Sequence, residues 1–459
     1  MGGGRGMQNG VRWVIVSGAI AGLALWSAAG CGEPPGTPEP TQTEVSKTDG
    51  GKPEDGGGGH PDSGSDARSD AGMDGGTDAG RDGGTVIVVP GADGWTFYGP
   101  ESGAPAEVWS VSSDAAGNLW VAGGMEGLFL MRPGSGHFEH FTVADGLTAY
   151  VDETGPHQQS VVSVAGGPAG VVYAGYLGHF GGQEDLDPPY MRKSGDADRV
   201  TLGAGGISVQ HIDISSPPDP SNPDLVNGRD KIRTVWRELY DPRTGNVWFG
   251  GNHGVALWEA QTGLVFEHQH AAINACYPDG HCTLLSGDWF GIALDAAGDL
   301  WMGGGHRLAK LKYTNPQRFW GPVAPIIDVW PDASNANRTD DYVQDLAVSG
   351  STLFVGSIPN GLVAIDDSGV HPVGLSGYQS KITSLEADPA GGSLWVGLQY
   401  GGMLRISGGS IAAYSNPVFG NQLIDRQVWD IQSDHQGPGG ARRLLVAFRA
   451  GAVGIYSGP

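Results

Sequence analysis

Glu126, His179, Asn252 with His253, His306 with Arg307, Asn360, Gln399 with Tyr400, and Arg449 recur along this 459-residue chain, each in a short turn between two apolar runs. Histidine at such a turn can bind a metal or act as a base. Mixed polar groups that converge on a concavity suit a polar ligand. An exposed turn is polar by default, so these residues become a ligand-binding mouth only if the fold gathers their tips. They require no cofactor, although clustered Asp could hold calcium or another divalent ion.

The cysteines carry a second kind of chemistry. There are three, and two of them, Cys276 and Cys282, flank a Pro-Asp-Gly turn. In an oxidising compartment this spacing reads as a disulfide stapling the loop. A metal site from Cys276, His281 and Cys282 is the alternative, at a spacing unusual for zinc. The third, Cys31, follows Ser27-Ala-Ala-Gly after an apolar stretch that begins at Trp13 and is preceded by Arg5 and Arg12. A basic start, a short apolar core and small residues before a break define an export signal. The Cys after Ala-Gly resembles the lipobox of bacterial lipoproteins, which implies acylation of Cys31; position −3 is Ala28 where Leu is usual.

The elements that must position the turn residues recur as well. Seven strand-like runs place an aromatic or large apolar residue two positions ahead of Gly or Ala: Trp120/Ala122, Tyr173/Gly175, Trp248/Gly250, Trp301/Gly303, Phe354/Gly356, Trp395/Gly397 and Leu445/Ala447. Several follow an Asp-x-x-Gly turn, in which the Asp accepts from turn amides and the Gly takes positive φ. The run is apolar on both faces and must be covered on both. The small residue shares a face with the aromatic, so it is expected to make room for the bulky ring of the neighbouring unit. First strands are read at Val108–Ser112, Ile232–Trp236 and Ile382–Glu386, with third and fourth strands after the small residue.

Four antiparallel strands in each of seven units predict an all-β, seven-bladed β-propeller. The last unit stops one strand short. Gly94–Tyr98 has no blade of its own, so it is expected to be the outer strand of blade seven, closing the ring and leaving no open edge. Residues 1–30 read as a lipoprotein signal peptide, 31–85 as a disordered acidic linker and 86–459 as the propeller.

The unit Val-x-Ser-Val/Ile-x-x-Asp-x-x-Gly-Asn-Leu-Trp-Val resembles the two-component regulator propeller repeat, as does Asp145-Gly-Leu147 ahead of the second unit. Units one, four and six match best, whereas two, five and seven lack the turn Asp or the Trp. The resemblance implies a periplasmic sensor domain, often glycan-binding, ahead of a membrane span and a histidine kinase. This sequence shows neither of those two regions, which leaves a stand-alone lipoprotein acting as a binding or scaffolding module. An enzyme alternative comes from similarity to streptogramin-lyase-type propellers, which implies a metal-dependent lyase or hydrolase at the mouth. An Asp-box glycosidase does not fit, because Gly117 and Gly298 stand three residues after Asp114 and Asp295.

Charge limits the partners. Net charge is −24, which argues against nucleic acid and against charge-driven adhesion to anionic lipid. Residues 32–93 carry 13 acids against 4 bases, and from Gly32 to about Gly84 there are almost no large apolar side chains. Such a segment cannot bury enough surface to fold, and as a tether it would reach roughly 40 Å. An Asp recurs every fourth position from Asp62 to Asp82 without the ligand geometry of a calcium loop. Two long segments, Gln183–Lys231 and Asn315–Tyr342, read as insertions offering acids and, at Trp320 and Trp330, aromatics. The expected partners are a polar ligand, a glycan or an envelope protein, and the bilayer through acylated Cys31. The expected location is the bacterial cell envelope.

Overall fold

The computed structural model describes Val89–Pro90 and residues 94–458, apart from 153, 179–194, 215–233, 253, 264, 270–273, 277–281, 285–288, 305–306, 312–326, 329–341, 359–360, 376, 379–380, 389–391, 415–426 and 435–442. The first strands of the seven blades are Ser110–Ser113, Val161–Gly166, Val235–Tyr240, Gly291–Leu294, Tyr342–Ser349, Ile382–Ala387 and Val428–Asp434. Each opens an antiparallel sheet whose strands follow in chain order, except that blade seven takes Trp95–Tyr98 as its fourth strand against Ala452–Tyr456, with Val89–Pro90 paired outside it as a fifth. The ring is therefore closed by the N-terminal strand, as the sequence predicts. Trp95 anchors the closure, with its ring centroid 5.4 Å from Phe97, 4.9 Å from Tyr456 and 6.4 Å from Phe448.

The Asp-x-x-Gly turn accounts for the first hairpin. Asp114 Oδ1 accepts from Ala116 N at 2.8 Å and Asn118 N at 3.2 Å, while Oδ2 accepts from Asn118 Nδ2 at 2.8 Å and Trp120 Nε1 at 3.0 Å. Gly117 sits at φ +79°, a left-handed value that side chains disfavour. Asp114 Oδ2 also accepts from Gly170 N of the next blade at 3.1 Å, so the turn joins two blades. Asp295 repeats the pattern toward Ala297 N and Asp299 N, and Lys310 caps it at 2.6 Å.

The purpose of the small residue differs from expectation. A Cβ on Gly175, Gly303, Gly356 or Gly397 would stand 2.6 to 2.8 Å from Val235, Val343, Ile382 or Val428. On Gly250 it would meet the Trp289 carbonyl at 2.4 Å and Ile292 at 3.2 Å. The neighbour admitted is thus the start of the next blade's first strand, usually a β-branched residue, and not an aromatic ring. Ala122 with Val161, and Ala447 with Val108, share core clusters in the same relation. The reason is geometric: strand separation is smallest near the axis, where only a flat surface lets the next blade's Val or Ile approach.

Three further expectations are corrected. Blade three's first strand extends to Tyr240 rather than ending at Trp236, with Asp241 as its turn acid. The stretch Gln183–Lys231 is not wholly an insertion, because Ala197–Gly203 and Gly206–Ile212 are the third and fourth strands of blade two. Their start lacks the usual Gly-Leu signal, which hid them. Likewise Ile327–Asp328, inside Asn315–Tyr342, pairs as blade four's outer strand. Residues 183–194, 215–231, 315–326 and 329–341, with Trp320 and Trp330, lie outside the described residues, as do Cys31 and the whole of 1–85. The backbones of Cys276 and Cys282 are register partners in a hairpin of Asn274–Cys276 with Cys282–Leu284.

Candidate functional site

One dipeptide, repeated seven times, builds the axis. At the start of every first strand an interblade residue is followed by one that lines a central pocket: Val108-Trp109, Val161-Val162, Val235-Trp236, Trp289-Phe290, Val343-Gln344, Ile382-Thr383 and Val428-Trp429. In blades two, three, five, six and seven the ladder register skips this second residue, a β-bulge. A bulge bends the strand and re-aims a side chain. Here it sends the interblade residue outward and its successor toward the axis.

The pocket encloses about 70 Å³. Its walls are aromatic. Trp109 and Trp429 meet edge-on at 5.9 Å, and Trp236 stacks on Phe290 at 4.8 Å. Below them lies a charged layer. Arg237, whose side chain is 14% exposed, donates to Asp345 Oδ2 at 2.9 Å and to Asp430 Oδ1 at 3.2 Å. Ser110 Oγ donates to Asp430 at 2.7 Å and Ser384 Oγ to Asp345 at 3.1 Å, tying blades one, three, five, six and seven across the axis. Burial lowers the Arg237 pKa, but Asp345 and Asp430 outweigh it and the net shift is upward. Burial pushes Asp345 up to about 6 against the pull of Arg237, and pushes Glu386 up to about 7 against the hydrogen bond from Ser433 N.

Glu238 departs from the repeat. The position three residues after the interblade residue is Val111, Val164, Ile292, Leu346, Leu385 or Ile431 in the other six blades. Blade three alone places a carboxyl there. It is 4% exposed, and neither oxygen has a hydrogen-bond partner. Ser163, beside it, donates its proton to the Val235 carbonyl at 2.7 Å. Burial raises the Glu238 pKa to about 8. A buried carboxyl without a partner disfavours the fold, so it marks a site where something other than packing decides the residue.

The described turn residues Glu126, Asn252, Gln399, Tyr400 and Arg449 sit at the same end as the pocket. Backbone bonds from the turns reach the residues ahead of the first strands: Leu177 N to Ser160 O, Asn252 N to Thr234 O, Gln399 N to Lys381 O and Arg449 N to Gln427 O. Their side chains do different work. Glu126 accepts from Ala106 N at 2.7 Å, and Asn252 Oδ1 accepts from Thr234 N at 3.0 Å. Tyr400 is 46% exposed with Lys381 Nζ 5.6 Å over its ring, and Gln399 Oε1 is buried without a hydrogen bond. Arg449 reaches the axial aromatics, lying 3.5 Å over Trp109 and 5.6 Å from Trp429, with Glu107 at 2.9 Å. Arg307 begins a strand. His179, His253, His306 and Asn360 lie outside the described residues. Among the described residues, no group of three His, Cys, Asp or Glu side chains is placed to hold a metal ion.

Sequence reasoning missed the axial ring. Its signal was present, because each aromatic follows a Val or Trp at a first-strand start. Aligning the units on that position would also have exposed Glu238.

The fold and the axial site define a seven-bladed β-propeller. Two crystal structures of the extracellular domain of BT4673 from B. thetaiotaomicron, described once as a hybrid two component system and once as a one component system, share this fold. They align at TM-scores of 0.50 and 0.51 with 14% and 13% identity, covering 77% and 80% of this chain. The matched part is 38% and 40% of those domains, so this chain spans about two fifths of their length. The WD40 β-propeller domain of Doa1 aligns at TM-score 0.48 with 12% identity, over 81% of this chain and 95% of that one. No family model and no curated protein matches the sequence.

Proposed function

We propose that this chain is an exported, lipid-anchored binding module of sensor or scaffold type, which takes a polar ligand or envelope partner at the axial pocket and does not transform it. The carrying observation is the pocket itself: four aromatic rings over a charged floor, on a rigid closed ring. Apolar walls with a few placed polar groups are the usual make-up of a ligand site. The fold shared with an extracellular domain of B. thetaiotaomicron supports export and a recognition role. The signal-like start and Cys31 support the lipid anchor.

A thermal-shift screen against polysaccharides, peptides and divalent ions tests the module, because only a ligand of the native state raises the melting point. Expected is a shift in the wild type that Trp109→Ala and Trp429→Ala abolish. A shift retained in both variants would move the site away from the axis. Cys31→Ser is expected to leave the membrane fraction, and a variant that stays bound would end the anchor proposal.

A further inference from the structure

Three features of the pocket ask for the same chemistry. The first is charge. Among the described residues, the charged layer sets Glu238, Asp345, Glu386 and Asp430 against Arg237, which Asp345 and Asp430 already hold, while Arg449 at the aromatic walls is paired with Glu107. Glu238 is left with no donor, although it lines the cavity and is 4% exposed. The second is the wall. Indole faces attract cations, and the Trp109 face already carries the Arg449 guanidinium at 3.5 Å. The third is size. At about 70 Å³ the cavity is well below the roughly 150 Å³ that holds a benzene. It cannot enclose a sugar ring but does admit the end of an unbranched side chain.

We propose that the axial pocket receives the ammonium or guanidinium tip of a peptide side chain, with Glu238 as its counter-charge and Trp109, Trp236 and Trp429 as its walls. This rests on the pocket being the binding site proposed above. The chain's net charge of −24 would also draw a basic partner toward the ring. Position 238 is apolar in the other six blades, so a carboxyl there needs a purpose that the fold does not supply. An incoming cation would supply the missing partner and offset the cost of ionising the buried carboxyl.

The test uses the full chain and three blocked tripeptides, acetyl-Gly-Arg-Gly-amide, its Lys analogue and its citrulline analogue, with a neutral oligosaccharide panel alongside. Binding is read by calorimetry and tryptophan fluorescence at pH 8.5 and low salt. The Arg or Lys peptide should bind and perturb the fluorescence. The citrulline peptide should bind at least tenfold more weakly, because it keeps the shape and loses the charge. Glu238→Gln should weaken the cationic peptide at least tenfold and leave the citrulline peptide unchanged. Equal binding of Arg and citrulline, binding indifferent to Glu238→Gln, or no peptide binding would each overturn the proposal. Oligosaccharide binding that depends on Trp109, without peptide binding, would overturn it while leaving the module reading intact. If Glu238→Gln fails to fold, the Arg-to-citrulline comparison on the wild type decides alone.

Discussion

Gly397 faces Val428 so closely that a Cβ on the glycine would lie 2.7 Å from Val428 Cγ1. The φ of Gly397 is not in the left-handed region, so the constraint is space and not backbone conformation. Gly397→Val is therefore expected to destabilise the protein by about 1–3 kcal/mol through overpacking. Adding Val428→Ala should recover part of the loss, since residues in contact couple. Urea denaturation of the two single variants and the double variant gives the coupling energy. Strict additivity would show that the blades are not wedged at this contact.

Asp114 receives bonds from Ala116, Asn118, Trp120 and, across the blade boundary, Gly170. Asp114→Ala removes every one of them and leaves buried donors unpaired. A loss of about 3 kcal/mol is expected, the top of the roughly 1–3 kcal/mol of one orphaned group, because several donors lose their acceptor together. Asp114→Asn should lose less, because it keeps acceptor capacity. Equilibrium unfolding measures both, and the Trp120 emission should shift in the Ala variant.

The axial carboxyls set the direction of the pH dependence. Glu238, Glu386 and Asp345 have folded pKa values raised to about 8, 7 and 6. A raised acid binds its proton more tightly when folded, so its stabilisation is complete below the unfolded value near 4 and is lost as pH rises through the folded value. His211 adds to the trend. Burial lowers its pKa, but Asp196 and Asp198 outweigh this and raise it from 6.5 to about 9, so its contribution is present below 6.5 and lost through 9. Melting temperature should thus decline from about pH 5 to pH 9. Below pH 4 the trend reverses as Asp241 and Asp295, both held below their ordinary value, protonate. Glu238→Gln should flatten the decline between pH 5 and 8. An unchanged slope would place the titration elsewhere.

Replacing Glu238 by Leu restores the side-chain type that the other blades use at this position. Removing a buried, partnerless carboxyl should stabilise the ring by about 1–3 kcal/mol. The same variant should lose ligand binding, a trade between stability and function. Calorimetric melting and the peptide titration, run on one preparation, would test both halves.

Trp95 packs on Phe97, Phe448 and Tyr456, at the strand that closes the ring. Trp95→Ala is expected to cost about 3–5 kcal/mol. Because one strand joins the chain's beginning to its end, the loss should appear as a lowered midpoint of a single transition. A separate early transition for blade seven would show that closure is not cooperative.

The sequence by itself determined the architecture. The Asp114 and Asp295 turns, the seven aromatic-to-small spacings and the orphan Trp95 strand are local patterns, and each is dictated by hydrogen bonding or burial within a few residues. The equivalent positions of the turns in successive units also put Glu126, Asn252, Gln399 and Arg449 on turns between second and third strands. What the sequence left open was how blades meet. That Gly175 admits Val235, and Gly397 admits Val428, depends on two strands about 30 to 60 residues apart, as sheets brought face to face by close packing. The axial site is further still from any local signal. Trp109 and Trp429, or Arg237 with Asp345 and Asp430, meet only because the ring closes and bulges turn their side chains inward. Burial then made Glu238 a carboxyl with a raised pKa and no hydrogen-bond partner, a property that belongs to its surroundings and not to its own residue type.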